Sequence, residues 1–202
     1  MLIVRIGPNA VFNGYTDAQA TEKKILRDVF EEDDAWFNTG DLIKTVDVGY
    51  ALGKTHYQFV DRVGDTFRWK SENVSTNEVG EILNGFQDIN MSNVYGVKIP
   101  GCEGRAGMAA FSLEDSVSFD WQAFSEYVEN SLPKYARPLF IRIIQEMDTT
   151  GTFKLKKNDL RNEAFDISKV TDPIYCLKPN SGNYEVLDIE WLQTINSEQA
   201  GY

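Results

Sequence analysis

One histidine and two cysteines are all the chain has of the residue types that most often hold metals or act as nucleophiles. Cys102 and Cys176 lie far apart, with neither a Cys-x-x-Cys spacing nor a neighbouring histidine, which fits neither a zinc site nor a disulfide framework and suits a reducing compartment. His56 falls in a Gly-Lys-Thr-His stretch that reads as a loop. A Ser-His-Asp triad or a multi-histidine metal site would have to be built around it alone, so it reads as an ordinary exposed histidine. What remains is charge chemistry. Thr39-Gly40-Asp41 sets a carboxylate behind a glycine, Asp61–Lys70 carries Arg62, and Gly151-Thr152-Phe153-Lys154 ends a polar loop on an ammonium. Taken singly, Asp41 reads equally as a turn aspartate, Arg62 as the partner of a nearby acid, and Lys154 as a solvated lysine.

The elements that must hold these residues follow from periodicity. Residues 2–6 read as a strand entered halfway, and their apolar run is too short for a signal peptide. Asp17–Phe30 has helical spacing, with Ala20, Ile25, Val29 and Phe30 on one face. The acidic cluster Glu31–Asp34 reads as a solvated loop, and strands are expected at Leu42–Val46 and near Tyr57–Val60. Ser75-Thr76-Asn77-Glu78 is a capping box that opens a helix with Val79, Ile82, Leu83 and Phe86 on its core stripe. Strands follow at Asn93–Ile99 and Ala106–Leu113, then a helix at Asp120–Leu132. Pro133 and Pro138 frame the link to a strand at Leu139–Ile144, and a short helix near Lys157–Phe165 precedes a loosely patterned tail. The order β-α-β-β-α-β after residue 65 gives a small α/β domain, whereas the first part is β-rich and ill equipped to bury a core alone.

Composition narrows the function. Twenty Lys+Arg against 31 Asp+Glu leave a net charge of −11, which argues against a nucleic-acid partner. A hydrophobic fraction of 42% is that of a chain able to build a core. No stretch approaches the ~20 apolar residues of a membrane helix.

The three charged passages occur in the order and approximate spacing of adenylate-forming enzymes. The long passage Asp61–Val79 resembles the fatty acid transport proteins and very-long-chain acyl-CoA synthetases in particular, as do Tyr95-Gly96-Val97, Gly104–Ala110 and Tyr135-Ala136-Arg137-Pro138. The resemblance covers nearly the whole chain and fades beyond about Lys178. It implies an α/β (α+β) fold: a small C-terminal lid domain with a three-stranded sheet and flanking helices, preceded by a β-rich remnant of a large N-terminal domain. The boundaries it implies are 1–62 for the remnant, 63–178 for the mobile lid and 179–202 for a tail.

The same resemblance implies roles. Asp41 accepts hydrogen bonds from the ribose hydroxyls of ATP, and Arg62 reaches ribose and phosphate oxygens. Gly64 is the hinge on which the lid turns between making the acyl-adenylate and making the thioester. Lys154 bridges the fatty carboxylate and the α-phosphate in the first step. Lys70, Ser71, Glu72 and Asn73 form the loop that faces CoA. Three departures stand out: Ser71 replaces a glycine, the loop around Ala51–His56 is longer, and Gly80 replaces an acidic residue.

The implied activity is that of a long- or very-long-chain fatty acid–CoA ligase coupled to fatty acid uptake, using ATP, CoA and Mg2+. No metal ligands are expected in this chain, because the magnesium-binding passage and the phosphate-gripping loop both belong upstream. The expected partners are a long-chain or very-long-chain fatty acid and the missing N-terminal domain or a full-length relative, with no nucleic acid. Membrane association, at the cytosolic face of the endoplasmic reticulum or plasma membrane, is expected only through upstream segments. The alternative is a non-catalytic short isoform that serves as a docking module; a third reading is an inactive remnant.

Overall fold

The computed structural model describes residues 1–50, 53–63, 66–114, 119–145 and 157–202. Gly64 and the whole Gly151–Lys154 passage, the expected hinge and catalytic lysine among them, lie outside these described residues. The chain divides into two compact units, Met1–Gly64 and Asp65–Tyr202.

The first unit is β-rich. Strands β1 (Ile3–Arg5), β2 (Ile25–Arg27) and β3 (Ala35–Asn38) form an antiparallel sheet in the order β1-β3-β2, and β4 (Asp41–Val46) and β5 (His56–Arg62) form a separate ribbon. His56 therefore opens a strand and is half-buried, where the sequence suggested a loop. The expected helix over Asp17–Phe30 is cut to α1 (Ala18–Glu22), capped by the Asp17 carboxylate on the Gln19 N–H. Sheet pairing overrides the helical spacing here, because Ile25 and Leu26 align with Phe37 and Trp36 on β3. Asp34 differs from a solvated loop acid: it is buried, and its carboxylate accepts from the N–H groups of Val29, Phe30 and Glu31 and from the Trp36 indole. Among the described residues of this unit only Asp34, Gly40 and Asp61 are buried, so no apolar side chain is.

The second unit has the core. Its sheet runs β12-β11-β10-β9-β8, with β8 (Ile89–Val97) antiparallel to β9 (Ala106–Leu113) and β9 parallel to β10 (Phe140–Ile143). The parallel step requires a crossover, which α3 (Trp121–Ser131) supplies. Every residue of β9 except Leu113 is buried, as expected of a central strand covered on both faces. Leu83 of α2 (Thr76–Leu83) and Phe124 and Val128 of α3 are inaccessible to solvent or nearly so. Each such burial stabilises the fold by roughly 1.5–3 kcal/mol. The N-cap half of the capping box forms, with Ser75 Oγ accepting from the Glu78 N–H at 3.3 Å.

The sheet has five strands rather than three. Strand β11 (Ile174–Leu177) pairs with the β10 edge, and β12 (Tyr184–Val186) pairs with β11. The segment read as a tail thus carries β12 and α5 (Ile189–Asn196), with Tyr184 and Ile195 buried. The cause is that the open edge of β10 and the buried Tyr184 hydroxyl both find partners; the hydroxyl donates to the Pro138 carbonyl at 2.6 Å. A short α4 (Asn158–Glu163) completes the unit.

Candidate active site

In the first unit the Thr-Gly-Asp turn assembles itself. The Asn38 side chain accepts from the Gly40 N–H, while Thr39 Oγ1 accepts from the Asp41 N–H and donates to the Leu2 carbonyl. Gly40 takes φ +81°, a left-handed conformation that glycine adopts without steric cost. The turn delivers Asp41 to the start of β4, directly opposite Arg62 at the end of β5. Arg62 Nε donates to Asp41 Oδ1 at 3.1 Å, and both side chains stay partly open to solvent, at 48% and 26% exposure. Asp41 Oδ2 and the terminal guanidinium nitrogens make no hydrogen bond among the described residues. An exposed pair of this kind contributes about 0–1 kcal/mol, so a ligand can recruit both groups at little cost. Asp61 escaped the sequence reading; it is buried, and its Oδ1 accepts from the Arg62 N–H, which orients the arginine from behind.

In the second unit Lys70–Asn73 are the turn and return strand of the hairpin β6 (Phe67–Trp69) and β7 (Glu72–Val74). Lys70 and Ser71 both have positive φ, 48° and 69°, as the tight two-residue turn demands. Phe67, Trp69 and Val74 are buried beneath it. Trp69 bridges to Gly104, whose φ is +87°, and the Arg68 carbonyl accepts from the Arg105 N–H at 2.7 Å. The CoA-facing tip expected from the sequence is therefore held on a rigid support, with Lys70 Nζ 5.7 Å from the Trp69 ring centroid.

The described residues flanking the Gly151–Lys154 passage are firmly anchored. Upstream, the Ile144 N–H donates to the Phe111 carbonyl. Downstream, Lys157 Nζ donates to Thr76 Oγ1 at 2.8 Å, at the start of α2. Arg142, buried in β10, spans Glu163 at the end of α4 and Asp172 before β11. Burial works against its charge, but the two carboxylates hold its pKa above the ordinary value. The Tyr95 hydroxyl, fully buried in β8, has no hydrogen-bond partner among the described residues, and burial raises its pKa. An arginine inside the apolar run Phe140–Ile144 was the one sequence signal that could have pointed to the Arg142 clamp. No group of three or more metal-ligating side chains occurs among the described residues. No helix among them is long and apolar enough to cross a membrane.

No family model matches the chain. It is 44% identical over 200 residues to long-chain fatty acid transport protein 6 of Mus musculus, covering 98% of this chain and 31% of that protein. It is 45% identical over 183 residues to the medium/long-chain-fatty-acid–CoA ligase FadD6 of Mycobacterium tuberculosis, covering 90% of this chain and 30% of that ligase. The chain thus spans about a third of the length of these relatives. In fold it resembles ATP-bound MatB from Rhodopseudomonas palustris, with a TM-score of 0.63 and 24% identity over 82% of this chain and 31% of that one.

Proposed function

We infer, for a chain that belongs by sequence to the family of fatty acid transport proteins and fatty acyl-CoA ligases, that it is the C-terminal part of a long- or very-long-chain fatty acid–CoA ligase. In this reading Met1–Gly64 is the end of the large adenylate-forming domain and the unit from Asp65 onward is the mobile lid. The observation that carries it is the pairing of Asp41 with Arg62 across β4 and β5, half-exposed and at little energetic cost to redirect. A carboxylate and a guanidinium so placed suit a ribose and its neighbouring phosphate.

Lys154 supplies the ammonium that offsets charge crowding as the carboxylate meets the α-phosphate, Gly64 is the swivel, and the Lys70–Asn73 tip faces CoA in the second step. ATP and CoA are then the co-substrates, and Mg2+ and its ligands belong to the preceding domain. Product trapping would couple the activity to fatty acid uptake, and upstream segments would hold the enzyme at a membrane. The absence of any buried apolar side chain among the described residues of the first unit supports a dependence on a covering domain and disfavours a free-standing docking module.

Two measurements test the reading. The purified 202-residue chain is expected to show no ATP–pyrophosphate exchange with a long-chain fatty acid; exchange would refute the dependence on a preceding domain. In the complete ligase, Lys154→Ala is expected to depress adenylate formation by two or more orders of magnitude, roughly, while sparing thioester formation from preformed acyl-AMP. Equal loss in both half-reactions would remove Lys154 from the role given to it.

A further inference from the structure

The Thr39-Gly40-Asp41 turn has a weak point, the peptide plane between Thr39 and Gly40. Gly40 sits at φ +81° with no side chain, so this plane rotates against little steric resistance, and rotating it would re-aim the chain that delivers Asp41. The next two carbonyls are held by backbone donors: that of Gly40 accepts from the Val63 N–H at 2.6 Å, and that of Asp41 from the Leu2 N–H at 2.8 Å. The Thr39 carbonyl has no backbone donor among the described residues. It accepts instead from Lys24 Nζ at 3.4 Å, a lysine in the link between α1 and β2. The Thr39–Gly40 peptide is therefore gripped at both ends, its N–H by Asn38 Oδ1 at 2.9 Å and its carbonyl by the ammonium. Lys24 is itself well placed to grip. It is half-buried, its N–H donates to the Thr21 carbonyl at 3.0 Å, and its carbonyl accepts from the Asn38 N–H at 2.8 Å. It makes no ion pair among the described residues, so no acid draws the ammonium away. A Cβ on Gly40 would lie 3.1 Å from Nζ, so the glycine also leaves the space that the ammonium fills.

We propose that Lys24 is a positioning residue for ribose recognition: its ammonium locks the Thr39–Gly40 peptide so that Asp41 presents Oδ2 to the sugar hydroxyls while Oδ1 stays on Arg62. Lys24 takes this role on the reading of Asp41 as the ribose acceptor, and none of the passages that resemble the family contains it. A charged donor on a carbonyl holds more strongly than a neutral one, yet 3.4 Å is long for such a bond. The effect is thus one of several-fold in nucleotide affinity rather than of orders of magnitude. It also has a signature. A residue that acts by aiming Asp41 influences only the part of the affinity that passes through the ribose hydroxyls, whereas an ammonium on the phosphates would act whether or not those hydroxyls are present.

Steady-state kinetics of the complete ligase with ATP and with 2′,3′-dideoxy-ATP, which keeps the base and phosphates but lacks both hydroxyls, test this directly. Lys24→Met, close to lysine in length but without its charge, should raise KM for ATP about five-fold and leave kcat within about two-fold. KM for dideoxy-ATP should not change. Lys24→Arg keeps the charge and the donors and should restore most of the affinity for ATP. An unchanged KM for ATP in Lys24→Met would overturn the proposal. So would an equal rise in KM for both nucleotides, which would put the ammonium on the phosphates or the base, and so would an arginine variant as impaired as the methionine one. Should Lys24→Met fail to fold, Lys24→Gln carries the same comparison with the same refuting outcomes. Asp41→Ala separates this proposal from the reading beneath it, because it should abolish the preference for ATP over dideoxy-ATP. If that preference survives Asp41→Ala, the ribose reading of Asp41 falls and Lys24 with it. If Asp41→Ala abolishes the preference while Lys24→Met leaves it intact, the role of Lys24 alone falls.

Discussion

Replacing Gly104 by alanine should unseat the hairpin that carries the Lys70–Asn73 tip. Two costs add. The first is conformational: Gly104 has φ +87°, and an L-residue forced into the left-handed region loses roughly 1–2 kcal/mol. The second is steric. A Cβ at this position would lie 2.3 Å from the Arg68 carbonyl oxygen, and reaching even 3.0 Å requires a backbone shift of at least 0.7 Å (3.0 minus 2.3). That shift strains the 2.7 Å bond from the Arg105 N–H to the same oxygen, with a net contribution of about 1 kcal/mol. The expected destabilisation is about 3 kcal/mol. At roughly 3–4 °C per kcal/mol for a unit of this size, the Tm of the second unit should fall by about 10 °C. Differential scanning calorimetry of the 202-residue chain measures it. Gly201→Ala is the control, because Gly201 also has positive φ, +71°, yet an added Cβ there meets nothing within 4 Å. It should show the conformational cost alone. If Gly104→Ala lowers Tm no more than Gly201→Ala, the close approach does not support the hairpin and the reasoning is wrong.

Two further outcomes follow from backbone and charge. Ser71 holds φ 69° at a position glycine fills more easily, so Ser71→Gly should stabilise the second unit by about 0.5–1 kcal/mol, read from the urea midpoint; a lower midpoint would show that the serine is not strained. Asp34 titrates far below its ordinary range: burial opposes its ionisation, but the Trp36 indole and three backbone N–H donors outweigh that and bring its pKa to about 2. Because the unfolded chain binds the proton more tightly, the stability Asp34 contributes is fully present above about pH 4 and is lost as pH falls toward 2. Acid titration followed by Trp36 fluorescence should show that loss in the parent chain, and Asp34→Asn should remove its pH dependence across this window. An unchanged acid profile in the variant would clear Asp34 of the role.

Much of the second unit could be read from residue order, because its determinants are local. The Ser75–Glu78 box, the apolar stripe of α2 and the mostly apolar run of β9 each specify their element within a few neighbours, and each forms close to the expected bounds. Two of the candidate residues could be singled out one by one, Asp41 behind its glycine and Arg62 beside an acid, whereas the Lys70–Asn73 loop was marked only by the family resemblance. What residue order leaves open is who meets whom. Asp41 and Arg62 are 21 positions apart, and only the register of β4 on β5 makes them partners. The helix expected over Asp17–Phe30 failed for the same reason, since pairing with β3 claimed Ile25 and Leu26 at the expense of their helical spacing. Nor could the tail be anticipated, because its strand β12 pairs with β11, and β11 enters the sheet only by pairing with β10, where Phe140 meets Cys176 from 36 positions away. Periodicity and capping are written in contiguous residues, whereas sheet edges, cross-strand charge pairs and grooves arise between distant ones. By itself, therefore, the sequence determined the locally specified elements of the second unit and the chemistry available to the chain; tertiary pairing decided the remaining strands and which charges stand together.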